Sequence, residues 1–345
     1  MSTLKVDAIR HNSATSDAIT TSSDGTCAAK ITSINDGALS NRNLLHNSSF
    51  EVWQRGTTSA SAASGGNRCT ADRWSVPNRT RVAQSTDVPA GFKYAILLDR
   101  EQTGGSEPFT LHQGIEKDNI RQTGSYTLSF YAKSSDINSV NINVQDRTTV
   151  AEGGTNHSSI VTNQAVTITS SWARYTYTFT LSNASLTGTC LRISIGNTSA
   201  NQNDELLLTG IQLETGTIAT DIEKRTLGHE LTLCYRYYYR MNGDNNKTYM
   251  IGMSDNDNQN IYGFFHFPVP MRTAPTYIEQ NGTAGHYKVR RDTTKSCTGV
   301  PTFTDAMPFM CRVNFPSSGH GWGTGQMLWC QGGSSSSYLG FDAEL

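Results

Sequence analysis

Ile211-Gln-Leu-Glu-Thr-Gly-Thr-Ile-Ala-Thr-Asp-Ile-Glu-Lys-Arg-Thr-Leu-Gly-His-Glu-Leu-Thr-Leu-Cys-Tyr-Arg-Tyr-Tyr-Tyr239 is where the period of the chain changes. Upstream and into its first residues, Leu206, Leu208, Ile211 and Leu213 are spaced as the apolar face of a strand. Beyond Thr226 the spacing becomes helical. Leu227, Leu231, Cys234, Tyr235 and Tyr238 fall at i, i+4, i+7, i+8 and i+11, one stripe of an α-helix. Thr226 suits the N-cap, and Arg236 and Arg240 suit the C-terminal end of the dipole. The stretch therefore joins a buried strand to a short aromatic helix and divides the sequence into two β-rich parts. Nothing in it has the spacing of a catalytic motif.

Residues 43–225 alternate apolar and polar positions again and again. Phe92, Tyr94, Ile96 and Leu98 are expected to point one way, as are Tyr126, Leu128, Phe130 and Ala132. Val140, Ile142 and Val144 alternate with Asn141 and Asn143; Tyr175, Tyr177, Phe179 and Leu181 alternate with Arg174 and three threonines; Leu191, Ile193 and Ile195 form another set. One apolar and one polar face per strand is the pattern of an antiparallel sandwich, and the recurrence predicts a jelly roll. Residues 226–345 open with the helix and return to strands, with an aromatic run Tyr262-Gly-Phe-Phe-His-Phe-Pro-Val-Pro270 whose prolines mark an edge strand or the exit from a sheet. Cys311–Phe315, Gln326–Cys330 and Tyr338–Leu345 read as further strands, and residues 332–337 as a flexible hairpin tip. Residues 1–42 are polar, with a short alternating segment at Leu4–Ile9 and a turn at Thr20–Gly25. They hold too little apolar surface to order alone, so an attachment or oligomerisation role is expected. The fold class is all-β: an extended N-terminal segment, a jelly-roll sandwich, then a short helix and a second β domain.

Composition supports this. The 345 residues are 36% hydrophobic and 17% charged, with 30 glycines, a mixture suited to sheet surfaces and turns. A net charge of -1 supplies no field for nucleic acid or an anionic membrane. No apolar run nears the roughly 20 residues needed to span a bilayer, and the N-terminus lacks the apolar core of a signal peptide. Seven cysteines are scattered without a C-x-x-C pair, which argues against zinc and for buried reduced thiols, at least one being unpaired within the chain. The eight histidines show no metal-binding spacing.

Several segments resemble proteins of tailed bacteriophages, marine ones especially. Leu4–Ile9 resembles the opening of phage fibre proteins. Asn43-Leu-Leu-His-Asn-Ser-Ser-Phe-Glu-Val-Trp-Gln-Arg-Gly56 and Ala71-Asp-Arg-Trp74 resemble the start of a carbohydrate-binding-module-like jelly roll in such fibres. Tyr126–Lys133, Trp172–Phe179 and Leu208–Glu214 match its successive strands. Ala219–Glu223 through Cys234-Tyr-Arg-Tyr-Tyr238, Phe267–Pro275 and the ending Phe341-Asp-Ala-Glu-Leu345 are frequent in tail or virion proteins. The resemblance implies a virion structural protein, a tail fibre mediating host adsorption by multivalent glycan binding. It implies a homotrimer attached to other virion proteins through its N-terminal segment, made in the host cytoplasm and located in the phage particle. A capsid-mounted head fibre or decoration protein is the alternative of the same build, and a polysaccharide depolymerase the alternative among enzymes. No catalytic residue carries over.

Candidate chemistry is sparse. A glycosidase needs two carboxylates about 5–9.5 Å apart; Asp99 with Glu101, Asp204 with Glu205, and Glu51 with Glu214 are the pairs available, and solvated turns account for the first two. The expectation is a protein that is not an enzyme. Sugars stack on aromatic faces, so Trp322 in its glycine-rich loop, Tyr131 and Trp74 are the candidate glycan contacts. Core packing is the competing role for each. Leu231, Tyr235 and Tyr238 are expected to pack the helix against sister chains. The resemblance implies that Glu51 and Glu214 help to hold a structural Ca²⁺, the one cofactor in view. Asp255-Asn-Asp-Asn-Gln-Asn260 imitates a calcium loop but lacks glycine at the sixth position and glutamate at the twelfth, and reads as a hairpin loop.

Overall fold

The structure, a computed structural model, describes residues 8–9, 19–24, 27–29, 40–59, 68–69, 71–77, 80–100, 109–120, 123–149, 155–182, 186–197, 201–255, 259–319 and 321–344. The described residues are almost wholly β, with one α-helix. In the N-terminal segment β1 (Ala8–Ile9), β2 (Ile19–Thr21) and β3 (Cys27–Ala29) make a small antiparallel sheet.

The sandwich is built from β4 (Thr58–Ser59), β5 (Arg68–Cys69), β6 (Ser75–Val76), β7 (Arg81–Ser85), β8 (Ala95–Asp99), β9 (Phe109–Glu116), β10 (Gly124–Lys133), β11 (Ser139–Arg147), β12 (Asn156–Thr167), β13 (Ala173–Leu181), β14 (Cys190–Asn197) and β15 (Glu205–Thr215). Two six-stranded sheets result, β13-β10-β15-β8-β7-β4 and β12-β11-β14-β9-β6-β5. The alternation places Tyr126, Leu128, Phe130 and Ala132 of the first sheet in one core with Val140, Ile142, Val144, Leu191, Ile193 and Ile195 of the second, all at most 1% exposed. Each such aliphatic or aromatic side chain contributes roughly 1.5–3 kcal/mol on burial. The skip from Leu208 to Ile211 is a β-bulge: Gly210 takes φ 56°, and the β10–β15 register shifts between Ser129 and Tyr131. Ile96 and Leu98 face the core, but Phe92 and Tyr94 precede β8 and stay half-exposed, which corrects the run expected there. Phe92 packs on Tyr131 outside the sheet instead, ring centroids 5.2 Å apart.

The helix α1 (Leu227–Tyr235) begins at Thr226, whose hydroxyl accepts the His229 N–H at 3.4 Å. Its buried face is not the expected stripe. Glu230 and Cys234 are buried, with Tyr237 beyond them, whereas Leu227 is 55% exposed and Leu231 and Tyr235 are half-buried. The physical reason is the Glu230 carboxylate, which accepts the Asn47 N–H and sits 3.5 Å from Arg225. The helix then ends and Tyr238 starts a strand.

That strand, β16 (Tyr238–Asn242), opens the second β domain, followed by β17 (Thr248–Ser254), β18 (Asn260–His266), β19 (Ile278–Glu279), β20 (Tyr287–Arg290), β21 (Thr294–Ser296), β22 (Thr302–Thr304), β23 (Met310–Pro316), β24 (Met327–Gly332) and β25 (Tyr338–Asp342). They form a three-stranded sheet, β16-β25-β19, and a seven-stranded one, β21-β20-β24-β17-β18-β23-β22. The aromatic strand β18 is interior, and its prolines lie at the exit. Residues 332–337 cross from one sheet to the other and are pinned, with Gly332 N–H bonded to Lys247 and Gly333 N–H to His286, so the flexible tip is corrected to an anchored crossover.

Sandwich and second domain meet at a buried cationic and aromatic joint. The Arg55 guanidinium lies 3.3 Å over the Tyr238 ring and pairs with Asp342 at 2.5 Å and Glu279 at 3.4 Å. Arg73 lies 3.3 Å over Tyr237, pairs with Glu344 and donates to the Gly114 carbonyl at 2.7 Å. Arg236 forks onto Glu116 at 3.0 and 2.8 Å, and the Tyr237 hydroxyl reaches the same carboxylate at 2.6 Å. Gln54 bridges backbones, donating to the Tyr238 carbonyl and accepting from Arg240 N–H.

Candidate functional site

The aromatic side chains singled out from sequence separate. Trp74 is fully buried, its indole donating to the Asn47 carbonyl at 3.0 Å, so it is a core residue and presents no face to a ligand. Trp322 is 8% exposed and its indole donates to Asp292 at 2.9 Å, which draws it in from the glycine-rich loop. Tyr131 remains half-exposed on the outer face of the first sheet beside Phe92. Tyr238 is buried by Arg55 of its own chain and by the hydroxyl's bond to Glu279 at 2.6 Å, so its packing is internal to the joint.

Glu51 and Glu214 have separate neighbourhoods. Glu51 is exposed and lines a depression with Glu223, Arg225 and Glu230. Glu214 is buried and already accepts hydrogen bonds from Gln212, from the Thr220 N–H and from the Thr220 hydroxyl. Its oxygens face donors, a poor fit to a calcium ligand, and among the described residues no group of three acidic, histidine or cysteine side chains is placed to hold a metal. The other carboxylates are also engaged. Asp99 pairs with Arg81 at 2.5 Å, Asp204 accepts the Asn201 N–H at 2.6 Å, and Glu101 lies outside the described residues. The calcium-like segment at 255–260 joins β17 to β18, with residues 256–258 outside the described set.

The outer faces of the two sheets differ in chemistry. On the first, Thr127 and Ser129 are covered: Thr127 donates to the Gly216 carbonyl, and Arg174 bonds both Ser129 and the Thr220 carbonyl. On the second, the antiparallel register lines up rows of hydrogen-bonding side chains across the strands. Asn143 lies opposite Ser194, Ser194 opposite His112, and His112 opposite Ser75. Beside that row Gln145 lies opposite Arg192, and on its other side Asn141 and Thr110 flank Gly196. The Arg192 guanidinium holds the Gln145 carbonyl oxygen at 2.5 and 3.1 Å, and the Thr110 hydroxyl meets His112 Nε2 at 2.9 Å. Burial first, then the charges of Arg192 and Arg147, push the His112 imidazole well below its ordinary value, so it is neutral at pH 7. These three rows carry donors and acceptors but no carboxylate. Ser75, Thr110, His112, Arg192 and Ser194 are only 1–4% exposed, so the half-buried Asn141, Asn143 and Gln145 of β11 are the groups that can exchange hydrogen bonds with hydroxyls, and the rows lack an acid–base pair.

Sequence reasoning found Asn141 and Asn143 as the polar half of a strand but not their partners. Ser75, His112 and Arg192 come from three other strands, and only the register unites them.

Residues 42–201 match the family described as a carbohydrate binding domain. That span ends before β15, the strand between β10 and β8. No curated protein matches the chain. Among solved structures, the CBM22-1 xylan-binding domain of Paenibacillus barcinonensis Xyn10C is similar at 16% identity and a TM-score of 0.32, covering 47% of this chain and 100% of that one. The enzymatically active domain of bacteriophage CBA120 tailspike protein 4 is similar at 14% identity and 0.31, over 51% of this chain and 21% of that one. A module, TmCBM61, solved with β-1,4-galactotriose is similar at 16% identity and 0.28, over 50% and 98%. The central β-sandwich of this all-β chain is carbohydrate-binding-module-like.

Proposed function

We propose that the chain is a tailed-phage fibre protein, non-catalytic, whose sandwich binds host-surface polysaccharide along the polar outer face of its second sheet. The observation that carries the binding half is the carboxylate-free edge of half-buried amides, Asn141, Asn143 and Gln145, backed by the buried Ser194, His112 and Arg192, on a fold of this kind. The order of the fibre-like motifs supports the virion half, with residues 1–42 as the attachment segment and a homotrimer as the assembly. Weak single-site contacts become durable adsorption when several copies engage one surface.

Affinity electrophoresis of the full chain through gels containing host-envelope polysaccharide tests this. Asn143→Ala and Gln145→Ala each remove a group worth about 0.5–1.5 kcal/mol, so retardation should fall several-fold. Thr176→Ala, an exposed position on the first sheet, should change nothing. Equal behaviour of all three variants would remove the assignment of this face.

A further inference from the structure

The seven-stranded sheet of the second domain carries apolar side chains on both faces. Inward, Met250, Ile261, Leu328 and Cys330 are buried in its core. Outward, where an antiparallel strand normally turns polar groups to water, Ile251, Met253, Phe264, Met327 and Trp329 are 47–64% exposed. They are contiguous. Ile251 lies opposite Trp329, Met253 lies opposite both Met327 and Tyr262, and Phe264 is two residues along β18 from Tyr262. Charge is confined to the flanks: Arg290 opposite Trp329 on one side, and on the other Arg312 opposite Phe264, paired with Asp305 at 2.8 Å.

We infer that this face is the seam on which copies of the chain meet, packing around the axis of the proposed trimer. The area fits. Five side chains, each exposing about half of a surface on the order of 200 Å², present roughly 500 Å² of apolar area. A specific interface takes about 800 Å² from each partner, with an apolar core and a charged rim, so the patch has the size and layout of such a core. It is contiguous rather than scattered, and at roughly 500 Å² it has the size of the largest patch on a typical monomer, a patch that is often functional. The aliphatic and thioether groups at its centre offer no hydrogen bond to replace the water a sugar hydroxyl would lose, which disfavours a glycan there. A second and third copy supply matching sheets at face-to-face packing distance.

The inference rests on the trimer reading, and one experiment separates the two. Light scattering coupled to size exclusion gives the mass of the wild type, of Trp329→Glu and Met253→Glu, and of Leu227→Glu on the exposed side of α1. The expected result is three chain masses for the wild type and Leu227→Glu, and one for the two sheet variants with unchanged circular dichroism. Should either sheet variant misfold, Met327→Lys, at the most exposed of these positions, replaces it. A trimeric wild type whose sheet variants stay trimeric overturns this face while leaving the trimer standing. A monomeric wild type overturns both. Sheet variants that keep the wild-type mass but lose retardation in polysaccharide gels assign the face to glycan and also overturn the inference.

Discussion

Replacing Arg73 by methionine should uncouple the two β domains. The guanidinium is buried, stacked on Tyr237 and paired with Glu344. Burial opposes its charge, but Glu344 and Tyr237 outweigh that and raise its pKa further. Methionine keeps much of the apolar stem and removes the charge, leaving the Glu344 carboxylate buried without a counter-ion and the Gly114 carbonyl without its donor. Breaking one side of a buried pair costs about 3–5 kcal/mol, a large share of the roughly 5–15 kcal/mol that holds a domain folded. The loss should fall on the joint, so calorimetry should show the unfolding endotherm separating into two transitions. A double-mutant cycle with Glu344→Gln should return a coupling of about 1–3 kcal/mol, scarcely altered by salt. A cost under ~1 kcal/mol with additive single effects would mean that the pair behaves as a surface ion pair and would refute the buried-joint account.

Burial pushes the Asp72 carboxyl up to about 6, against the pull of Arg55 and Gln54. The folded state therefore keeps a proton that the unfolded chain releases above 3.8, so this stabilisation is complete below that pH and is lost as pH rises through 6, about 3 kcal/mol in all. Asp72→Asn should flatten the stability profile between pH 4 and 6 in urea titrations, and an unchanged slope would refute it. Below pH 4.5 Glu116 acts in the opposite sense, because burial is outweighed there by Arg236 and Tyr237 and its carboxyl is held below the ordinary value. Burial pushes the thiols of Cys190 up to about 11 and of Cys297 and Cys311 up to about 12, so maleimide at pH 7.5 should label them only in denaturant. Trp322→Ala should cost about 3–5 kcal/mol, lessened if its glycine-rich loop collapses, while leaving polysaccharide retardation as it was; weaker retardation at full stability would restore Trp322 as a contact.

Local pattern was legible and register was not. The alternation of Tyr126–Ala132 and Val140–Val144 predicted strands and their inward faces, because a period of two is written in neighbouring residues. Thr226 was legible as a cap for the same reason. The helix face was misread because apolarity pointed to Leu227 and Leu231, while the demand for a buried carboxylate at Glu230 came from Asn47 and Arg225. Trp74 and Trp322 were ambiguous because an indole stacks equally well on a sugar or a core, and the acceptors that drew them inside, Asn47 and Asp292, lie 27 and 30 residues away. The fibre-like motifs were recognised as words without their meaning: Gln54 and Arg55 of Asn43–Gly56, Arg73 of Ala71–Trp74, Tyr237 and Tyr238 of Cys234–Tyr238, and Asp342 and Glu344 of the ending are the groups that assemble the joint.

Strand β9 ties this joint to the proposed binding face. His112 sits in the polar row, the Gly114 carbonyl two residues on receives Arg73, and Glu116 at the strand's end receives Arg236 and Tyr237. Side chains two apart on a strand share a face, so the buried His112 that backs the proposed sugar contacts and the anchor to the second domain project from the same side of one strand. The Glu116 fork, the Arg73 pair and the Arg55 pair act in concert to restrain rotation of the second domain against the sandwich, so losing one of them loosens the angle. A glycan seated on Asn143 and Gln145 is therefore held at a fixed angle to the apolar sheet that carries Trp329 and Met253. In a trimer joined through that sheet, three binding faces would keep constant spacing, and the second and third contacts with a repetitive surface polymer would incur little further orientational entropy. Glu116→Gln separates these contributions: single-copy affinity for a short oligosaccharide should stay at the wild-type value, while adsorption to intact polysaccharide should weaken because the faces lose their common orientation. Equal loss on both ligands would place the effect in the binding row itself and refute the joint as the source of avidity.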